Sequence, residues 1–309
     1  MKNLLVLGGS GFVGRHVIAH LVRDMQSVTV PSRRRERAKH LIVFPTVQVV
    51  EADLFVPGAL DRLVRGKDAV INLVGALHGN FERVHVDLPR AIVAACRNAG
   101  VKRLLHVSAL GAAADAPSDY LRSKAAGEDV VLGARDLDVT VFRPSVIFGP
   151  EDQFLNTFVC LATFTPVVAV PCPDAQFQPV YVGDVARAAA AALDDPQASG
   201  QAYELCGPRA YTLKELVTYA CAVSGRKRIV VGLPDRLSYL QAAVLEHLPG
   251  PLMTRDNYRS MQVPNVSRGG APLPFGLAPQ ALEAVAPAYL AASANLEEHY
   301  SQLRWKARR

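Results

Sequence analysis

From Leu4 to Phe142, short apolar runs alternate with amphipathic stretches. The runs are Leu4–Leu7, Ser27–Val30, Val47–Val50, Ala69–Val74, Arg103–Val107 and Val139–Phe142. Between them, Val13, Val17, Ile18, Leu21 and Val22 recur at helical spacing, as do Ala91, Ile92, Ala95 and Cys96. Near-continuous apolar strands separated by one-sided helices predict an α/β fold, a doubly wound parallel sheet covered on both faces. The stretch from Ser27 to Val50 lacks a clear long helix and carries a basic loop instead.

After Pro150 the rhythm changes and prolines become frequent. A strand Pro179–Val182 leads into a helix Asp184–Leu193, which contains the alanine run Ala188–Ala192. Asp194-Asp195 before Pro196 reads as the end of that helix. A second strand–helix pair covers Tyr203–Cys206 and Leu213–Val223. Pro264–Gly276 reads as a loop, and a last helical stretch ends in the basic tail Arg304-Trp305-Lys306-Ala307-Arg308-Arg309. The expected division is a larger domain over 1–206, with 151–176 contributing to its substrate side, and a smaller, partly interleaved domain over 207–309.

Composition narrows the function classes. Half of the 309 residues are hydrophobic and 20% are charged, enough for a real core and unlike a disordered chain. The net charge of +6 is mild for this length, and its local surplus is Arg33-Arg34-Arg35 with Arg37 and Lys39. No basic stripe with interleaved aromatics accompanies it, so no nucleic-acid partner is expected. The 5 cysteines are scattered and form no C-x-x-C pair, which points away from a disulfide framework or zinc site and towards a reducing compartment. Cys96, Cys160 and Cys221 lie in apolar stretches and are expected to pack as small hydrophobes. His16 and His20 stand one helical turn apart without a third ligand, so they read as exposed helix histidines and no metal is expected. With Lys2 followed at once by a strand and a glycine turn, no secretory signal is expected. The apolar stretch Phe158–Val170 contains Pro166 and falls short of the ~20 residues a spanning helix needs. A cytoplasmic location without a membrane span is expected; contact with a membrane surface remains compatible.

Gly8-Gly9-Ser10-Gly11-Phe12-Val13-Gly14 follows the first strand directly and opens a helix. Glycines at 8, 11 and 14 allow a tight turn, close approach of backbone to a pyrophosphate and close helix–strand packing, while the helix N-terminus offers free N–H groups. The second strand ends Val30-Pro31-Ser32-Arg33-Arg34, where an NAD site would place an acid for the ribose 2′-hydroxyl. A hydroxyl and guanidinium groups suit a 2′-phosphate, so NADP(H) is favoured over NAD(H); a solvated basic loop is the plainer reading of the same residues. Asp53-Leu54 after the third strand either meets an adenine or caps the following turn. Asn72-Leu73-Val74-Gly75 ends the fourth strand, where Asn72, Leu73 and Gly75 would pass beside a cofactor ribose. Asp152 is either a substrate-side group or a loop cap.

Ser108 stands directly after the fifth strand, and Tyr120 and Lys124 lie four residues apart on one helical face. A phenol with a pKa of ~10 is a poor acid–base group at neutral pH. A neighbouring ammonium and a cationic nicotinamide would favour its ionised form. Ser108 would orient a substrate carbonyl, and Lys124 would also hold the nicotinamide ribose.

Together these motifs resemble the short-chain dehydrogenase/reductase superfamily, in its extended or atypical branch, which implies a Rossmann domain. Arg143-Pro144-Ser145-Val146-Ile147-Phe148-Gly149-Pro150 is similar to that branch's segment beside the nicotinamide, which adds Pro144, Ser145 and Val146 to the cofactor site. Pro179-Val180-Tyr181-Val182-Gly183-Asp184-Val185-Ala186 resembles its returning strand–helix signature. Within the branch, Gly8–Gly14, Tyr120–Glu128 and Arg143–Gly149 are similar to the NADPH-carrying accessory subunits of respiratory complex I and their bacterial relatives, as is Thr254-Arg255-Asp256-Asn257. In those subunits the resemblance implies an NADPH held structurally, so a complete triad does not by itself imply turnover. The segments between Ser108 and Tyr120 and over Ala76–Glu82 are shorter than in many nucleotide-sugar epimerases of the branch, which argues against so bulky a substrate.

Three functions follow. The first is an NADP-dependent oxidoreductase acting on a hydrophobic carbonyl or quinone-like compound through Ser108, Tyr120 and Lys124. The second is an NADPH-binding accessory or assembly factor of a respiratory or quinone-synthesis complex. The third, which the short segments disfavour, is a nucleotide-sugar epimerase or dehydratase.

Overall fold

The computed structural model describes residues 1–248, 252–269 and 273–291. In chain order it runs β1 (Asn3–Leu7), α1 (Phe12–Arg23), β2 (Ser27–Ser32), β3 (Val47–Glu51), α2 (Ala59–Val64), β4 (Ala69–Asn72), α3 (Leu88–Ala99), β5 (Arg103–Val107), α4 (Asp119–Leu132) and β6 (Asp138–Pro144). It continues through β7 (Ile147–Phe148), α5 (Leu155–Phe164), β8 (Val167–Val170), β9 (Gln176–Phe177), β10 (Val180–Tyr181), α6 (Val182–Asp194) and β11 (Gln201–Leu205). Then follow β12 (Tyr211–Thr212), α7 (Leu213–Val223), β13 (Ile229–Gly232), α8 (Asp235–Leu245) and α9 (Arg255–Ser260), and residues 282–291 are helical. The chain forms two compact units. The first comprises Met1–Ser145, Val182–Leu205 and Ser267–Ala278; the second comprises Val146–Tyr181, Cys206–Val266 and the described residues from Pro279 onward. A boundary after residue 206 is therefore one of several places where the chain passes from one unit to the other, and 151–176 lies in the second.

In the first unit a seven-stranded sheet runs β11-β6-β5-β4-β1-β2-β3, with every neighbouring pair parallel. The strands are apolar on both sides because both sides are covered. Leu5, Leu7, Val70, Leu104 and Val141 pack with Leu88, Ile92 and Cys96 of α3. Leu4 and Val6 alternate to the opposite side and are also fully buried. The helix α1 buries Val17, Ile18 and Leu21 and lies against α6, whose buried alanines at 188, 189 and 192 permit a close approach. Truncating Ile92 to alanine should cost roughly 2–5 kcal/mol. Sheet growth reverses direction around β1, which sits between β2 and β4, so the C-terminal ends of β1 and β4 border the crevice where ligands lie in open α/β sheets.

Local chemistry adjusts several expected elements. The apolar run Ala69–Val74 is strand only to Asn72, because the Asn72 Oδ1 accepts the Val74 N–H at 3.1 Å and turns the chain. The basic stretch after β2 forms two short 3-10 turns over Arg35–Leu41, joined by a kink at Ala38, with Ala38 and Leu41 buried. The strand expected over Pro179–Val182 is the two-residue β10, and α6 starts at Val182. Cys160 is exposed instead of packed, since α5 buries Leu155, Val159 and Ala162 and turns residue 160 away from them. His16 and His20 are half-buried instead of exposed, with the His16 ring edge-on to Phe12 at 5.7 Å. The basic tail 304–309 and residues 270–272 of the expected loop lie outside the described residues.

The second unit is built from small pieces. Three two-stranded sheets pair β7 with β10, β9 with β12 and β8 with β13, the middle pair antiparallel. One core joins Phe148, Leu155, Tyr211 and Leu216 to Leu282, Ala286 and Leu290, which recur every four residues on the last helical stretch. A second gathers Val168, Val170, Leu213 and Val217. Thr212 with Glu215, and Thr254 with Asn257, close capping boxes on α7 and α9. No described helix is long and apolar enough to cross a membrane.

Candidate functional site

The glycine turn between β1 and α1 is crowded everywhere except at one position. Gly8 has φ +78°, and a Cβ there would stand 3.0 Å from the backbone of Leu73 and Val74. A Cβ on Gly14 would meet the Gly8 carbonyl and the Gly9 Cα at 2.5 Å, so only glycine lets α1 start this close to the turn. Gly9 is equally confined, between Ile18 and Val30. A Cβ on Gly11 would meet only its own turn, at the Gly8 oxygen 3.3 Å away. The exposed Gly11 N-caps α1, with half-buried Ser10, Phe12 and Val13 around it. That open, side-chain-free backbone at a helix N-terminus fits a pyrophosphate.

At the end of β2, Ser32 is buried and its Oγ donates to the Arg34 carbonyl at 2.9 Å, while Arg33 and Arg34 are exposed. The Ser32 hydroxyl proton is thus committed to shaping the loop, leaving guanidinium groups as the donors. Glu36 faces Lys39 in an ion pair. Arg15, in the first turn of α1, helps hold the His40 imidazole below its usual pKa, though burial is the larger cause. This brings a further cation to the loop, one that the glycine motif alone did not single out. Asp53 caps its turn, accepting from the Phe55 N–H at 3.0 Å, and Leu54 packs against the core.

The end of β4 is held by hydrogen bonds. The Leu73 N–H donates to the Leu7 carbonyl at 2.9 Å, tying this loop to the glycine turn. Asn72, fully buried, donates from Nδ2 to His106 Nδ1 at 3.0 Å. That bond makes His106 Nδ1 an acceptor, and burial with the nearby Lys124 charge holds the ring down at about 3. Gly75 passes so near the Lys124 ammonium that a Cβ would stand 3.4 Å from Nζ.

Ser118 caps α4, its Oγ accepting the Leu121 N–H at 3.2 Å. Tyr120, Lys124 and Glu128 then follow at four-residue intervals along one face. Glu128 is buried and grips Arg143 of β6 through Nε at 2.9 and 3.0 Å, with a further bond from Nη2, which locks α4 to the sheet. Lys124 is buried, donates from Nζ to the Val107 carbonyl at 3.1 Å, and is held down at about 8 by burial. Burial pushes the Tyr120 phenol up to about 12. The phenol is therefore the protonated acid throughout the neutral range. Ser108, next to Val107, is buried and its Oγ has no hydrogen-bond partner among the described residues. An orphaned buried hydroxyl is costly unless a ligand completes it.

Sequence reasoning missed the clamp that holds this group. A π-helical turn at Arg83–Asp87 carries His85, whose Nε2 accepts the Ala76 N–H at 3.0 Å. Its Nδ1 therefore bears the proton and meets Ser123 Oγ at 2.8 Å, and that hydroxyl donates to the Tyr120 carbonyl at 2.7 Å. Burial and the Lys124 charge hold His85 down at about 3, so the ring stays neutral. Phe81 stacks on His85 at 5.5 Å, and both meet the Tyr120 ring edge-on. Gly127 makes the arrangement possible, for a Cβ there would fall 1.8 Å from the His85 carbonyl. A glycine in the middle of an otherwise regular helix was the available signal.

The remaining candidates stand apart from this cluster or serve the backbone. Pro144 and Ser145 are buried in the first unit, where Ser145 N–H donates to the Leu205 carbonyl at 2.9 Å. Val146 belongs to the second unit and donates to Asn265 Oδ1 at 3.1 Å. Asp152 accepts from the N–H groups of Gly149, Phe154 and Asn156 and from the Tyr289 hydroxyl, as a loop cap does. No group of three or more potential metal ligands occurs among the described residues.

A parallel sheet with a glycine turn at its switch point and a Ser–Tyr–Lys group beside it defines a nicotinamide-nucleotide-binding class of protein. Residues 4–206 match the NAD dependent epimerase/dehydratase family, and the chain belongs to it, within the extended short-chain dehydrogenases/reductases. It is 37% identical over 241 residues to the mouse mitochondrial NADH dehydrogenase [ubiquinone] 1 alpha subcomplex subunit 9, a match covering 74% of this chain and 63% of that protein's length. To the ceramide reductase of Caulobacter vibrioides it is 34% identical over 241 residues, covering 74% of this chain and 73% of the relative. The fold is shared with a nucleoside-diphosphate-sugar epimerase from Staphylococcus aureus at a TM-score of 0.70 and 17% identity, over 94% of this chain and 99% of that one.

Proposed function

We propose that the chain binds NADP(H) in preference to NAD(H) and reduces a hydrophobic carbonyl or quinone-like compound. The observation that carries the reading is the buried Ser108 hydroxyl, unpartnered among the described residues and one residue on from the Val107 carbonyl that the Lys124 ammonium grips. In this reading Gly8, Ser10, Gly11, Phe12, Val13 and Gly14 hold the pyrophosphate, and Arg33 and Arg34 take the 2′-phosphate. Asp53 and Leu54 border the adenine. Asn72, Leu73, Gly75, Tyr120, Lys124, Pro144, Ser145 and Val146 line the nicotinamide side. When bound, the cofactor supplies the hydride. Ser108 donates a hydrogen bond to the substrate oxygen and Tyr120 delivers the proton to it, so carbonyl becomes alcohol. A phenol that stays protonated suits the reductive direction. Lys124 holds the ribose and keeps a positive charge near the oxygen as it gains electrons.

The similarity to a complex I subunit favours a second reading, an NADPH-binding accessory or assembly factor of a respiratory or quinone-synthesis complex. Both readings place the chain in the cytoplasm, with the inner membrane face as a working location. The experiment that separates them is incubation with NADPH and a panel of quinones and long-chain carbonyls, alongside dialysis of the loaded protein. NADPH oxidation with freely exchanging cofactor supports the enzyme. Cofactor retained through dialysis with no oxidation supports the accessory role.

A further inference from the structure

The pair β8 and β13 is parallel, and its sequences, Val-Val-Ala-Val and Ile-Val-Val-Gly, contain no polar residue. One side faces the second unit's core through Val168, Val170 and Val230. The other side presents Val167, Ala169, Ile229 and Val231, all exposed, with Val167 opposite Ile229 and Ala169 opposite Val231. Phe164, just before β8, is 79% exposed. Parallel strands of this composition ordinarily have both faces covered.

The next helix repeats the inversion. It buries Ser238 and Ala242 and exposes Leu237, Leu240 and Val244, so its small residues face inward and its large apolar ones outward. Ser238 is committed inward, accepting the Cys172 N–H at 3.0 Å and donating to the carbonyls of Leu233 and Pro234. The helix therefore cannot simply be turned over.

The flanking charge selects the occupant. Arg226-Lys227-Arg228 leads directly into Ile229, with Lys227 exposed, Arg226 half-buried and Arg228 half-buried on the Ala162 carbonyl, and no acidic residue occurs from Phe154 to Pro173 or from Ser224 up to Asp235 at the start of α8. Apolar side chains beside the exposed Lys227 ammonium match the acyl boundary and anionic headgroups of a bilayer, whereas a second apolar protein face would leave that ammonium without counter-charge.

We propose that the exposed face of β8 and β13, with the outward stripe of α8, docks on an anionic membrane surface. This rests on the membrane-face element of the functional reading and extends it. The test is flotation of the full chain with phosphatidylcholine vesicles, with and without phosphatidylglycerol. Wild type should float with the anionic vesicles and do so less in high salt. Val167→Glu/Ile229→Glu should stay at the bottom, and Lys227→Glu should weaken binding by roughly fivefold or more, at ~1 kcal/mol per cation lost. If the double variant misfolds, Leu240→Glu/Val244→Glu on α8 serves the same purpose. The proposal is overturned if wild type does not float, or if folded glutamate variants float equally. It is also overturned if sedimentation shows a wild-type oligomer that the variants dissolve, for then a second copy covers the face. NADPH titration of the same samples keeps this test separate from the functional reading, because a variant that loses flotation should retain cofactor affinity, and failure of the cofactor reading would appear in wild type without vesicles.

Discussion

The two units use buried space in opposite ways. At the edge of the seven-stranded sheet, polar side chains are drawn inside and nearly every one is assigned a partner: Asn72 to His106, His85 to Ser123, Lys124 to Val107 and Glu128 to Arg143. The Ser108 hydroxyl has no partner among the described residues, and it lies at the centre of the proposed chemistry. In the second unit, large apolar side chains are left outside on β8, β13 and α8 while small ones are buried. A buried hydroxyl lacking a partner and an apolar exterior lacking a cover are both incomplete surfaces, and each is a proposed place for a ligand: a nucleotide with its substrate in one, a bilayer in the other.

The largest expected effect breaks the first unit's clamp. Gly127→Ala forces a Cβ into the His85 carbonyl, so α4 and the π turn must separate. Overpacking of this kind costs about 1–3 kcal/mol or more, and chemical denaturation should show it. Gly11→Val sharpens the contrast, because that Cβ meets little protein. The variant should fold with near-wild-type stability and lose NADPH binding, and unchanged affinity would mean that the nucleotide lies elsewhere.

Tyr120→Phe comes next. It keeps the ring packed against His85 and Phe81 and removes only the proton donor. Turnover should fall by ~10²–10⁴-fold while NADPH affinity hardly moves. An equally active variant would remove the proposed acid.

A smaller effect concerns pH. Lys124 has a pKa of about 8 in the folded chain against 10.5 for the ordinary side chain. Between those values the unfolded chain binds the additional proton, so folding stability should rise with pH through this window, by about 3 kcal/mol in all. Below pH 8 the buried ammonium carries its full desolvation cost. Lys124→Met should abolish the rise in a series of denaturation curves, and NADPH affinity in wild type should decline over the same window as the ammonium is lost.

Much of the first unit was legible because its signals are periodic and local. Six apolar runs became β1 to β6 with small shifts at their ends, and the glycine turn, Ser108, Tyr120 and Lys124 came to one sheet edge. What could not be read depends on contacts between distant residues. His85 reaches Tyr120 only because Gly127 admits the π turn, and no spacing rule pairs residues 85 and 127. That Asp53 and Asp152 accept neighbouring N–H groups could be seen only once those groups were placed. The upward push of burial on the Tyr120 phenol is invisible in a Y-x-x-x-K pattern. The second unit was least legible, since Phe158–Val170 and Ile229–Gly232 look like core in sequence and only the structure shows one side of them facing out.

The most direct test of the central claim is a parallel titration of wild type with NADPH and NADH, repeated with Arg33→Ala/Arg34→Ala. Loss of one charge-assisted bond to phosphate is worth ~1.5–3 kcal/mol, so the account predicts tighter binding of NADPH in wild type and a roughly ten- to hundredfold loss in the variant, with NADH little changed. Equal affinities for the two cofactors in wild type would contradict it.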